Sequence, residues 1–311
     1  MAFIMYNGIQ YEGGVVLCGA CPRQCFVPRE QGAGFCRTDN RIPVSSICLH
    51  GGEEPVIVGD NGICNVFFGH CNLQCIYCQN FQISDNSIPC TVRDFKCVIA
   101  EIQGFLRKGV RAVGFVSPSH VVPQMIEIIG TLRVSRKDLV VVMNTNAYDK
   151  REAIESLEEV VDVYLPDFKY ADHGIARDYS GAEDYPQVGV RALREMFRQK
   201  GARLQFNPDG TIRSGLIIRH LVLPGHVENS KKCLRIIAEE LSSSVYISLM
   251  SQYYPTPRVK NHPILGRKVS VGEFQEVVDE LHFLGFRHGW IQEIGSDRIF
   301  RPDFNRKNPF D

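Results

Sequence analysis

Three cysteines on one short stretch, Cys71, Cys75 and Cys78, carry the strongest chemical signal in this chain. They lie in Phe67-Phe68-Gly69-His70-Cys71-Asn72-Leu73-Gln74-Cys75-Ile76-Tyr77-Cys78-Gln79-Asn80, directly after an apolar run, at C-x3-C-x2-C spacing. Three thiolates on one loop can hold three irons of a cubic [4Fe-4S] cluster and leave the fourth iron open to a small molecule. Most electron-transfer clusters use four cysteines, so a set of three points to chemistry at the open iron. The plainer alternatives are a zinc site or a set of buried thiols; C-x2-C is common at zinc, which usually takes four ligands.

A second set is Cys18, Cys21 and Cys25, followed by Cys36. Four thiols are what a closed tetrahedral zinc needs, and the same count suits an auxiliary iron–sulfur cluster. Cys48, Cys64, Cys90, Cys97 and Cys233 have no partner at ligand spacing and read as inert thiols.

The elements that must position these residues follow one rhythm from about residue 62. Short apolar runs (63–68, 112–116, 139–143, 161–165, 216–223, 245–250) alternate with segments of helical period, such as Phe95, Val98, Ile99, Ile102, Phe105 and Leu106. Thr91-x-x-Asp94 and Ser270-x-x-Glu273 read as helix starts. A run over 286–291 adds a further candidate strand. Repeated strand–helix alternation implies parallel strands with right-handed crossovers, hence an α/β barrel or an open doubly wound sheet. Polar residues fall just after the strands: the cysteines, Ser117-Pro118-Ser119-His120, Asn144-Thr145-Asn146, Asp167-Phe168-Lys169 and Ser251-Gln252-Tyr253. In barrels the strand C-termini carry the site. The reading is therefore a partial (β/α)6 TIM-like barrel over residues 61–311 with a C-terminal helix/strand extension. Residues 1–60, glycine-rich and without period, read as a cysteine-rich metal module.

At 311 residues, 44% hydrophobic and 23% charged with zero net charge, the composition is that of a soluble enzyme. No basic stripe for nucleic acid stands out, and no apolar run is long enough to span a membrane. Met1–Tyr6 does not look like a secretory signal. Twelve cysteines, seven of them at metal-ligand spacing, favour a reducing cytoplasm over a disulfide framework.

The cysteine loop resembles the signature of radical S-adenosylmethionine (SAM) enzymes. Asp167-Phe168-Lys169 resembles the Asp-Leu-Lys strand end of glycyl-radical activating enzymes, and Arg219-His220-Leu221-Val222-Leu223-Pro224-Gly225 their fifth-strand segment. Ser117–Gln124, Asn144–Asp149, Tyr164–Tyr170, Arg194–Lys200 and Met250–Tyr253 resemble the pyruvate formate-lyase activating-enzyme-like proteins called PflX. The resemblance covers nearly the whole chain, including the N-terminal cysteines.

That resemblance implies a radical SAM barrel in which Cys71, Cys75 and Cys78 hold the cluster and SAM chelates the open iron. One electron then splits SAM into methionine and a 5′-deoxyadenosyl radical. It further implies an electron donor such as flavodoxin or ferredoxin, and a substrate that is a glycyl-radical partner, another protein or a small molecule. Tyr77 is the aromatic residue that the motif prefers before its third cysteine, and is counted with the SAM contacts. Asp167 and Lys169 face the same way on a strand and could answer the ammonium and carboxylate of SAM, or form an ordinary rim salt bridge. Activating enzymes carry Gly-Gly-Glu after the second strand, where this chain reads Val116-Ser117-Pro118-Ser119-His120. The Ser117 and Ser119 hydroxyls could accept from the ammonium. His120 could be a substrate-facing acid or base, or simply cap the next helix. Asn144 and Asn146 suit a ribose hydroxyl, or merely form a turn. One of Arg219 and His220 points into the barrel. A metal-stabilised binding or scaffold protein without radical chemistry is the alternative reading; a zinc hydrolase lacks any H-E-x-x-H.

Overall fold

The computed structural model describes residues 9–12, 15–30, 34–298 and 300–311, with the backbone alone at 9–12, 15, 16 and 298. Met1–Tyr6, read above for a leader, lies outside the described residues.

Two short strands, β1 (Ile9–Glu12) and β2 (Val15–Cys18), pair antiparallel ahead of the main body. The body then runs β3 (Val44–His50), α1 (Pro55–Val58), β4 (Ile63–Phe68), α2 (Phe81–Ser84), α3 (Phe95–Arg107), β5 (Ala112–Val116), α4 (Val122–Ser135) and β6 (Val140–Thr145). It continues with α5 (Arg151–Glu155), β7 (Val163–Pro166), α6 (His173–Ser180), α7 (Tyr185–Lys200), β8 (Gln205–Phe206) and β9 (Ile212–Leu221). The last elements are α8 (Val227–Glu240), β10 (Tyr246–Met250), α9 (Val271–Phe283) and β11 (Gly289–Ile291).

The sheet order is β11-β10-β9-β7-β6-β5-β4-β3, with β8 on the side of β9. Neighbours from β4 through β11 are parallel; β3 pairs antiparallel with β4. Every residue of β4, β5 and β7 is buried, as strands covered on both faces require. The sheet does not close on itself, so the architecture is the partial α/β barrel read from the alternation. The sheet also reaches back across the boundary expected at residue 60, because β3 belongs to it.

Helices supply the outer layer. Val98, Ile99, Ile102 and Leu106 of α3 and Phe274, Val277, Val278 and Leu281 of α9 turn inward. The N-cap of α3 is Asp94, whose carboxylate accepts the Cys97 N–H, and Ser270 with Glu273 forms a full capping box on α9. Inside the barrel the far end is filled by Ile63, Val142, Val163, Leu165 and Ile217 together with Ile57 of α1. This apolar plug leaves the strand C-termini as the open end. Residues 300–311 pack against β3 and β4: Phe310 lies tilted against the His50 ring at 3.9 Å and Phe304 meets Phe67 edge-on at 5.2 Å. Among the described residues no helix is long and apolar enough to cross a membrane.

Candidate functional site

The loop after β4 turns tightly, with His70 and Gln74 at positive φ (64° and 61°). Asn86 clasps it: its Oδ1 accepts the Cys71 N–H at 3.0 Å and its Nδ2 donates to the Cys71 carbonyl at 2.9 Å. The result is three sulfurs on the wall of one cavity of about 440 Å³. Cys71 and Cys75 are buried; Cys78 is partly exposed.

Each sulfur accepts a hydrogen bond. The Leu73 N–H and Asn146 Nδ2 reach Cys71 Sγ at 3.3 and 3.4 Å. Ser180 Oγ donates to Cys75 Sγ at 3.1 Å, and Ser84 Oγ to Cys78 Sγ at 3.2 Å. Burial pushes the Cys71 thiol up and the Cys78 thiol to about 12, so a nearby positive centre is what would keep them as thiolates. Among the described residues no three Cys, His, Asp or Glu side chains converge on a single ion. A cubane differs from a single ion in that it spaces its cysteine sulfurs around a larger body. Three thiols on one loop, each with an N–H or O–H donor, beside open space fit that group.

Across the cavity, Lys169 Nζ lies 2.7 Å from Asp167 Oδ2. Burial opposes the charge on Lys169, but Asp167 and Cys75 outweigh it and hold its pKa above the usual value. Tyr185 fixes this strand end. Its hydroxyl takes the Lys169 N–H at 2.9 Å and stands 2.8 and 2.9 Å from the carbonyls of Asp167 and Asn146. Asn144, Asn146, Ser117 and Tyr77 also line the cavity. Asn146 acts on the cysteine loop itself, donating to Asn72 Oδ1 at 2.9 Å as well as to Cys71. Tyr77 is buried edge-on against Tyr170, Tyr179 and Tyr253.

Two expected residues stand elsewhere. The chain leaves β5 through Ser117 at φ 55°, which carries Ser119 and His120 away from the opening. Ser119 Oγ meets Thr145 Oγ1 at 3.1 Å. His120 is wholly buried, with Nε2 donating to the Gly69 carbonyl at 3.0 Å, and burial pushes its pKa down to about 3. It is neither substrate-facing nor a proton carrier near neutrality.

Below the Asp167–Lys169 pair lies a charged layer that sequence reasoning missed. Arg219 donates to both oxygens of Glu54 (2.8 and 2.6 Å) and to Glu53, and Asn65 Nδ2 donates to Glu53 at 2.7 Å. Burial works against the Glu53 charge, but Arg219, His50 and Asn65 keep its pKa low. The available signal was two adjacent acids in Gly51-Gly52-Glu53-Glu54-Pro55, inside a segment without period. Of the pair on β9, Arg219 faces inward and His220 outward.

The N-terminal cysteines share one neighbourhood, since Cys18, Cys25 and Cys36 all act on Cys21, which burial first pushes up to about 12. Among the described residues they do not converge on a single ion, and the second metal site expected there, zinc or an auxiliary cluster, has no support. The segment is nonetheless joined to the cysteine loop. Arg23 donates to the carbonyls of Asn72 (2.8 Å), Leu73 (3.3 Å), Ser180 (2.9 Å) and Gly181 (2.5 Å).

No protein-family model matches the chain. Over 269 residues it is 30% identical to an uncharacterized protein, MJ0674, of Methanocaldococcus jannaschii, covering 84% of this chain and 73% of that one. Among solved structures, it is similar to HydG, a maturase of the [FeFe]-hydrogenase, with TM-score 0.52 and 12% identity over 78% of the chain. The HydG maturase of Carboxydothermus hydrogenoformans gives TM-score 0.51 and 13% identity over 74%. The chain spans about half the length of these maturases, 55% and 52%. The chain thus has the fold of these maturases, with the cysteine loop at the open end of its barrel, and it belongs to the family of the M. jannaschii protein.

Proposed function

We propose that this protein is a radical SAM enzyme of the pyruvate formate-lyase activating-enzyme-like (PflX) type. Cys71, Cys75 and Cys78 would hold a [4Fe-4S] cluster in the cavity wall. The observation that carries this reading is the placement of three hydrogen-bonded sulfurs and the Asp167–Lys169 pair around one cavity. Bound there, the cluster would supply the electron that splits SAM and leaves a 5′-deoxyadenosyl radical to take hydrogen from a substrate.

The chain's own residues do the rest. Asp167 and Lys169 offer an acceptor for the SAM ammonium and a donor for its carboxylate, close to the cysteine loop. Asn144 and Ser117 offer hydroxyl and amine contacts on the adjoining strand ends. The apolar plug and residues 300–311 restrict water around a reactive species. The substrate in this reading is a protein glycine or a small molecule, the donor a flavodoxin or ferredoxin, and the compartment the cytoplasm.

Anaerobic protein reconstituted with iron and sulfide should show cluster absorbance and, with dithionite, release 5′-deoxyadenosine from SAM. Cys75→Ala should abolish both. If wild-type protein forms no cluster, or forms one and leaves SAM intact, the binding-scaffold alternative replaces this reading.

A further inference from the structure

Cys78 is the least buried of the three cysteines, and the loop between β10 and α9 packs against the residues that flank it. Gln79, the next residue, donates to the Gln252 carbonyl at 2.9 Å and accepts from Gln252 Nε2 at 3.2 Å. Arg258 lies 3.7 Å from Asp85, the neighbour of the Ser84 that donates to Cys78 Sγ. The loop's aromatic residues complete the cover. Tyr253 packs on Tyr77 at 6.1 Å, and half-buried Tyr254 lies beneath the Arg301 guanidinium at 4.5 Å.

This loop is chemically biased. Residues 253–272 contain Arg258, Lys260, Arg267 and Lys268 and not one Asp or Glu, in a chain whose net charge is zero. Nearby acids only partly balance it: Asp85 faces Arg258, Glu273 faces Arg267, and Asp297 serves both Lys268 and Arg301. Five bases against these three acids leave two positive charges in excess. A complementary field of this kind sets orientation and on-rate for a charged partner.

We infer that the face formed by Tyr254, Arg258, Lys260 and Arg301 is the docking surface for an acidic protein that delivers single electrons to the metal centre held by Cys71, Cys75 and Cys78. One electron leaves the donor and one arrives at the cluster; no atom or proton is transferred. Docking here brings the donor's centre to the partly exposed corner of the cysteine set, with the Tyr254 and Tyr253–Tyr77 rings between. This inference rests on the proposed function.

The test is stopped-flow reduction of the reconstituted full-length protein by reduced flavodoxin, followed by cluster bleaching, beside reduction by dithionite. At low salt, Arg258→Glu/Lys260→Glu should slow the flavodoxin reaction about tenfold, and added salt should bring wild type down to the variant. Dithionite should reduce both proteins alike, which also shows the variant folded and loaded. The control Arg203→Glu/Arg213→Glu makes the same charge change at exposed positions near β8 and β9, away from the cysteine loop, and should leave the flavodoxin rate near wild type. Equal flavodoxin rates in wild type and Arg258→Glu/Lys260→Glu overturn the inference, as does equal slowing by both double variants. Failure of wild type to form a cluster or cleave SAM with dithionite instead overturns the functional reading.

Discussion

On β9, Arg219 and His220 leave the strand on opposite faces, and their chemistry diverges accordingly. Arg219 is held by two carboxylates inside the cavity. His220 is wholly buried, its Nδ1–H donates to the Phe168 carbonyl at 2.7 Å, and its Nε2 has no partner. A second proton would therefore sit on an unsolvated nitrogen, and burial lowers the pKa from 6.5 to about 4. Between those values the unfolded chain binds a proton that the folded chain refuses, so stability falls as the pH drops through this window. The expected loss is about 1.4 kcal/mol per pH unit, on the order of 3 kcal/mol in all. Urea unfolding of the metal-free protein at pH 6.5 and pH 5 should show it, and His220→Gln should take its share out of the slope while the share of buried His120 remains; an unchanged slope would contradict the assignment. Residues whose placement rests on local spacing were legible at this scale. The cysteine loop and the Asp167–Lys169 pair are set by neighbours in sequence and by strand alternation. Glu53, Glu54 and Tyr185 were not legible, because each acts on residues far away in sequence. His120 was misread because its direction depends on the backbone turn at Ser117, which residue type does not announce.

The strands were readable because parallel strands covered on both faces need unbroken apolar runs, as in Ile63–Phe68. Short or one-off elements were harder. Antiparallel β3 lies among irregular residues, and α6 went unread although Asp172 caps its start and Gly181, at φ 56°, caps its end. The short edge strand β11 depends on Gly289. Its φ is 121°, and a Cβ there would stand 1.9 Å from the Ile247 carbonyl oxygen, a backbone atom that cannot swing aside. Gly289→Ala should thus break the pairing of β11 with β10 and destabilise the protein by about 2 kcal/mol or more. Trp290, the chain's lone tryptophan, is the next residue and lines the cavity, so its emission reports the event directly. The variant should melt earlier and emit at longer wavelength in the native baseline. A native emission identical to wild type would show that β11 tolerates the substitution.

At the scale of the whole molecule, the question is how the N-terminal segment is coupled to the barrel. Arg23 is the principal tie: one guanidinium serves carbonyls on the cysteine loop and at the end of α6, and stacks on Phe35 at 3.9 Å. Those two regions also flank Cys75, through Asn72 and Leu73 on one side and through Ser180, whose hydroxyl meets Cys75 Sγ, on the other. Removing the fork leaves four carbonyls without their donor and loosens three parts of the molecule together. Arg23→Ala should cost about 2–4 kcal/mol, since hydrogen bonds from a charged group contribute about 1.5–3 kcal/mol each and are not additive here. A lysine retains the charge but lacks the planar fork, so Arg23→Lys should recover only a small part of the loss. Urea unfolding followed by Trp290 emission measures the cost. Cluster content after passage through a desalting column measures its consequence at Cys75, and both variants should retain less iron than wild type. If Arg23→Lys matched wild type in both readouts, charge rather than geometry would be joining the N-terminal segment to the barrel.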